Sequence, residues 1–201
     1  MKTIFLDIDS QLDFLYPSGA LYVPGAENIV DNIGRLNRYA AAHDIPVVST
    51  VDAHTENDPE FKVWPHHCVA GTTGQHKAET TLLDRRVVVP NRPCDLAIDG
   101  ARQIIVEKQT VDVFEARNLE RIIQQLSGEK FVVYGVVTEI CVLWAMRGLI
   151  RLGKRATLVS DAVASLTSQG SLAAVEEMLS AGVTVCLAAD LPNLDVAKHH
   201  D

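Results

Sequence analysis

The sequence is short of several things, and each shortage closes a class of function. Its 201 residues carry 18 Lys+Arg against 26 Asp+Glu, a formal charge of −8. No basic field is therefore present to recruit nucleic acid or an anionic membrane surface. No window approaches the roughly 18 consecutive apolar residues of a membrane span. The opening apolar run is broken by Asp7 and Asp9, whereas a secretory signal needs about 7–15 uninterrupted apolar residues. The four cysteines, Cys68, Cys94, Cys141 and Cys186, are widely spaced and form no CxxC pair. With no export signal, four free thiols in a reducing, cytoplasmic compartment are expected. No GxGxxG follows the first run of strand-like residues, which sets dinucleotide binding aside. What remains is ordinary globular composition, 47% hydrophobic and 22% charged, without repeats, low-complexity tracts or linkers. A single domain spanning 1–201 with a real core is expected.

Strand-like and helical patterns alternate along the chain. Short apolar runs at 3–8, 45–51, 103–107, 131–137, 156–160 and 183–187 read as six strands of the buried, parallel kind. Between them, Ile29, Ile33, Leu36 and Ala40 stripe a helix over about 26–42, and Leu119, Ile122, Ile123 and Leu126 stripe another that stops near Gly128. Val142, Ala145, Met146 and Leu149 mark the inner face of a third helix, stopped by Gly153. Leu172, Val175, Met178 and Leu179 mark that of a fourth, stopped by Gly182. Such alternation predicts an α/β fold, a three-layer sandwich with a parallel sheet between helices. The stretch 66–101 is irregular, with only 86–89 resembling a short extra strand. A loop that long in a compact domain is functional or contact-forming. Leu143, Trp144 and Ile150 suit the core or, alternatively, a contact between copies in a homo-oligomer.

Ligands of open parallel sheets bind beyond the carboxyl ends of the strands. Those ends carry Asp7 and Asp9, then Asp52 and His54, then Glu107 and Lys108, then Thr138, Glu139 and Cys141. Cys141 falls in the first turn of a helix, where the helix dipole and a nearby Lys108 would lower the thiol pKa and favour thiolate. Asp9 could accept the thiol proton and later return it to a leaving amine. A free cysteine there is otherwise a small buried hydrophobe; the convergence of four strand ends favours the reactive reading. A second constellation joins Asp52 and His54 to Trp64, His66, His67 and Cys68, with Glu60 seven residues before His67. Carboxylate plus imidazole suits zinc, iron or manganese, although an Asp-x-His pair alone is equally at home in a solvated loop. His43, His76, His199 and His200 read as surface residues.

Those residues carry a family resemblance. The segment Asp9, Ser10, Gln11, Leu12, Asp13, Phe14 resembles the DxQxDF opening of the isochorismatase-like cysteine hydrolases. Gly135 to Val142 resembles their GVxTDxCV segment, with Glu139 in place of the usual Asp. Together with Asp52, His54, Trp64 and His67, the sequence is most similar to the nicotinamidase-like branch, over a stretch from Asp7 to about Val183. The resemblance implies a Rossmann-like six-stranded parallel sheet and a catalytic triad. Asp9 would be general acid/base, Lys108 its charge partner and Cys141 the nucleophile that forms a thioester. It also implies an oxyanion hole from the N–H groups of Val137 and Cys141, with a cis peptide between Val136 and Val137. The implied cofactor is a divalent metal, zinc first and iron or manganese as alternatives, on Asp52, His54 and His67 with Glu60 as a fourth ligand. Phe14 and Trp64 would wall a small-molecule amide, nicotinamide, whose ring nitrogen meets the metal. The alternatives are hydrolysis of another small amide or ureido compound on the same scaffold and, from a different class, a non-catalytic metal or thiol sensor.

Overall fold

A computed structural model describes residues 1–193; the two C-terminal histidines read as surface residues lie outside them. Seven strands form one sheet: β1 (Thr3–Ile8), β2 (Val47–Asp52), β3 (Arg86–Val89), β4 (Gln103–Lys108), β5 (Lys130–Val136), β6 (Arg155–Ala164) and β7 (Thr184–Cys186). Their order is β3-β4-β2-β1-β5-β6-β7 and every pairing is parallel. The count among the described residues is therefore seven and not six. The short run in the irregular stretch joins the sheet as its edge, pairing Arg86–Val89 with Gln103–Val106 of β4.

β1 is buried along its whole length because both faces are covered. The α-helices are α1 (Leu12–Leu15), α2 (Val30–Ala42), α3 (Leu119–Gln125), α4 (Leu143–Arg151) and α5 (Ser168–Ser180). Ile4, Leu6 and Ile8 pack in one apolar cluster with α3, α4 and α5. Phe5 packs in the other with α2. The helix expected from 26 begins as a 3₁₀ turn, Ala26–Ile29, and becomes α-helical only at Val30. On α5 the buried residues are Ala174 and Met178, so the expected inward stripe is rotated. Leu172 and Leu179 are 66% and 50% exposed and do not belong to the core. Of the three apolar residues left open between core and contact, Leu143 is buried, Ile150 is half-buried and Trp144 is exposed beneath the Arg147 guanidinium, 5.0 Å away.

Chain direction across the sheet reverses between β1 and β5, since β2 and β4 lie on one side of β1 while β5 to β7 lie on the other. Such a switch point opens a crevice at the carboxyl ends of its strands. Gly135 shapes it. Its φ is +116°, and a Cβ there would sit 2.0 Å from the Ile8 carbonyl oxygen, so only glycine lets β5 pass the end of β1 this closely.

Candidate active site and metal centre

Past the end of β1 the chain turns at Asp9, with φ of 47°, and points the carboxylate into the crevice. β4 delivers Lys108 at its last residue, and β5 runs into a π-helical turn, Thr138–Val142, that carries Cys141. Cys141 therefore sits in a π turn that leads into α4. A cis peptide joins Val136 to Val137 at the start of that turn. All three side chains are buried. The Lys108 Nζ is 2.9 Å from Asp9 Oδ2 and 3.8 Å from Cys141 Sγ, so it stands between the carboxylate and the thiol. Thr50 on β2 donates its hydroxyl to Asp9 Oδ1 at 2.6 Å.

The electrostatics differ from expectation at the thiol. Burial, reinforced by the Asp9 and Asp52 carboxylates, outweighs the Lys108 ammonium and pushes the Cys141 thiol well above its ordinary pKa. The resting group is a neutral thiol, because in a dry site desolvation exceeds the helix-end and lysine effects. Burial, aided by Asp52, also raises Asp9 above the usual carboxylate range against the opposing Lys108 and Thr50. Burial disfavours the Lys108 ammonium, but Asp52 and Asp9 outweigh it and hold the lysine charged. Burial likewise keeps Cys68 protonated and pushes Cys186 up to about 11, and all four thiols are free.

Asp52, at the end of β2, links this cluster to a second. Its Oδ1 is 2.5 Å from Lys108 Nζ, while its Oδ2 is 3.8 Å from both His54 Nε2 and His67 Nε2. The three ligand atoms lie within 4.8 Å of one another, and all three residues are buried. Two ligands at zinc distance from a tetrahedral ion stand about 3.4 Å apart, so little movement is needed to share one. His67 Nδ1 donates to the Pro65 carbonyl at 2.7 Å, and His54 Nδ1 faces Asp58 Oδ2 at 3.1 Å without meeting it in hydrogen-bond geometry. His54 Nε2 is buried and has no hydrogen-bond partner among the described residues. An orphaned imidazole nitrogen facing a carboxylate and a second imidazole is a donor set that fits a divalent metal ion. Burial opposes ionisation of Asp52, but Lys108 and the two imidazoles outweigh it and hold the carboxyl well below the usual range.

Glu60 lines the same cleft but lies outside that three-residue group. Phe14 and Trp64 form its walls with Leu21, Val111, Ile140 and Leu166. The cleft holds about 380 Å³ of empty space, part of it open to solvent, at the small end for ligand sites. Sequence reasoning did not reach several supporting residues. Phe61 packs its ring against His54 and His67, with centroids at 5.2 and 5.7 Å. Gln11 donates to the Asp52 carbonyl at 2.8 Å and accepts from the Asp52 N–H at 2.7 Å. Asp58, four residues beyond His54, also caps the following turn by accepting from the Glu60 N–H at 3.0 Å.

A thiol beside a carboxylate and a fixed ammonium, at the switch point of a parallel α/β sheet, is an arrangement suited to nucleophilic chemistry. Residues 3–190 match the Isochorismatase domain, and the chain belongs to that family of hydrolases. It is similar to the nicotinamidase of Escherichia coli (strain K12), 23% identical over 219 residues covering 91% of this chain and 93% of that protein. The pyrazinamidase of Pyrococcus horikoshii, solved in complex with zinc, superposes with a TM-score of 0.79 and 26% identity, covering 93% of this chain and 99% of the other. The N-carbamoylsarcosine amidase of Thermoplasma acidophilum shares the fold, with a TM-score of 0.76 at 23% identity and coverage of 94% and 97%.

Proposed function

We propose that the protein hydrolyses a small, uncharged ring carboxamide, nicotinamide above all, to its carboxylate and ammonia through a Cys141 thioester. The observation that carries this reading is the shared cleft. The Cys141 thiol opens onto one small space between Phe14 and Trp64 together with Asp52 and His67, with His54 buried behind them, and neither lysine nor arginine lines it among the described residues. A ureido acid carries a carboxylate that would need such a cation; Lys108 is already engaged by Asp9 and Asp52. A sensor without catalysis has no use for the Asp9, Lys108 and Cys141 cluster.

Asp9 takes the thiol proton as sulfur bonds to the amide carbon, and its raised pKa suits it to hold that proton. The oxyanion is placed against the N–H groups of Val137 and Cys141, each such donor being worth about 2.7–4 kcal/mol. Collapse breaks the C–N bond, and Asp9 returns the proton to the departing nitrogen, releasing ammonia. Asp9, again a carboxylate, deprotonates the water that cleaves the thioester, and the proton returns to sulfur. Asp52, His54 and His67 would hold a divalent ion, which when bound supplies a Lewis-acid contact for a ring nitrogen. Phe14 and Trp64 orient the ring.

Ammonia release from nicotinamide, pyrazinamide and N-carbamoyl amino acids, with and without chelator, tests the reading. Turnover of the two ring amides, lost in Cys141→Ala, is expected. Undiminished turnover in Cys141→Ala, or a preference for the carbamoyl acids, would overturn it.

A further inference from the structure

Among the described residues only two lysines are buried, and each pairs with an aspartate of the β1 segment. Lys108 meets Asp9 and belongs to the site above. Lys77 meets Asp7, Nζ to Oδ2 2.9 Å, and does not line the cleft. Asp7 also accepts hydrogen bonds from Ser10 (2.8 Å), Ser49 (3.1 Å) and the Asn37 side chain of α2 (3.1 Å), so its charge is fully met. A buried ion pair contributes little net stability over an apolar pair of the same size, which leaves the question of what it is for.

The pair lies at a small ribbon between residues 10–13 and 74–78. Gln11 and Lys77 are bridge partners, Leu12 N–H donates to the His76 carbonyl at 2.8 Å, and Ala78 N–H to that of Ser10 at 3.1 Å. Two arms reach from this ribbon to the metal-type group. The Gln11 amide grips both backbone polar groups of Asp52 and donates to the Gln75 carbonyl at 2.8 Å. Asp13 Oδ2 accepts from the N–H of Cys68, the residue after His67, at 2.7 Å. Both strands of the ribbon are tied to Asp7, one through Ser10 and the other through Lys77, and Lys77 also donates to the Ser10 hydroxyl at 2.5 Å. A slip of one residue would turn Gln11 away from Asp52, because side chains alternate along a ribbon.

We infer that Asp7 and Lys77 are a positioning pair: they hold the ribbon in register so that Asp52 and His67 meet at the separation a shared divalent ion needs. This rests on the metal reading given under Proposed function. It assigns a task to the 66–101 stretch, which carries one metal-type ligand and the lysine that anchors it.

The test uses Lys77→Met and the doubly neutral Asp7→Asn/Lys77→Met, the second guarding against a buried unpaired carboxylate that simply unfolds the chain. Hydrogen exchange is followed on the metal-free proteins, and zinc affinity by competition with a chromophoric chelator. In both variants the Cys68 amide should exchange at least about tenfold faster while the Val132 amide, central in β5, keeps its protection. The zinc Kd should weaken about 10–100-fold, the usual effect of losing an outer support. Cys68 exchange at the wild-type rate in the folded double variant would overturn the positioning role. Unchanged zinc affinity in a variant with a loosened Cys68 amide would overturn its link to the metal group. A wild-type protein that binds no zinc sinks the metal reading instead, and is told apart because exchange is read without metal.

Discussion

Thr50 donates the one hydroxyl that Asp9 receives, at 2.6 Å, and this bond favours the carboxylate against the burial that disfavours it. Asp9 accepts the thiol proton only when ionised, so activity falls as pH drops through its raised pKa. Thr50→Val keeps the shape and removes the donor, which raises Asp9 further. The acid limb of the pH profile of kcat/KM, which reports the free enzyme, should therefore move to higher pH in this variant. The alkaline limb should stay in place. An acid limb that stays put, or moves down, would show that another group controls it. Glu60 is the natural suspect, since burial and Asp52 also raise its pKa, and Glu60→Gln should leave the limb unmoved if Asp9 is the base.

At the scale of elements, the crevice depends on how closely β5 passes β1. Gly135→Ala places a methyl group 2.0 Å from a carbonyl oxygen at a φ of +116°. Strain and overpacking together should cost on the order of 3 kcal/mol, lowering Tm by roughly 6–12 °C; a melting curve within 2 °C of wild type would refute the close-approach argument. Elements of this kind were partly legible in the amino-acid order. Continuous apolar runs mark β1, β2, β4 and β5, and the rule that sites lie at strand carboxyl ends finds Asp9, Asp52, Lys108 and Cys141, because Asp52 and Lys108 end their strands, Asp9 directly follows β1 and Cys141 lies in the turn that follows β5. The inner face of α5 was misread because its apolar residues cover more of the helix than the sheet does, leaving Leu172 and Leu179 outside. The resting state of Cys141 was misread for a different reason: desolvation depends on what surrounds a residue in space. Asp7 with Lys77, Gln11 with Asp52, and Phe61 with the imidazoles left no periodic trace. They join residues that are up to 70 positions apart, as Lys77 and Asp7 are, and only the folded chain brings them together.

For the molecule as a whole, the acidic balance becomes specific at the cleft. Asp9, Asp52 and Glu60 line it, and Lys108 stands behind Asp9 and Asp52, formally −3 + 1 = −2, a deficit that one divalent cation cancels. The ion would also join chain segments that are otherwise separate, since Asp52 ends β2 and His54 follows it while His67 belongs to the long loop. Binding to the folded chain alone stabilises it by RT ln(1 + [L]/Kd), about 2.7 kcal/mol when zinc stands 100-fold above Kd. For a chain of this length that corresponds to a rise in Tm of roughly 5–10 °C. Melting curves of the protein with zinc and with chelator should differ by that amount. The difference should persist in Cys141→Ala, whose thiol is outside the three-ligand group, and collapse in His67→Ala, which removes one of them. Equal melting temperatures with zinc and chelator in the wild-type protein would mean that the group holds no zinc. A difference that survives His67→Ala would place the ion elsewhere.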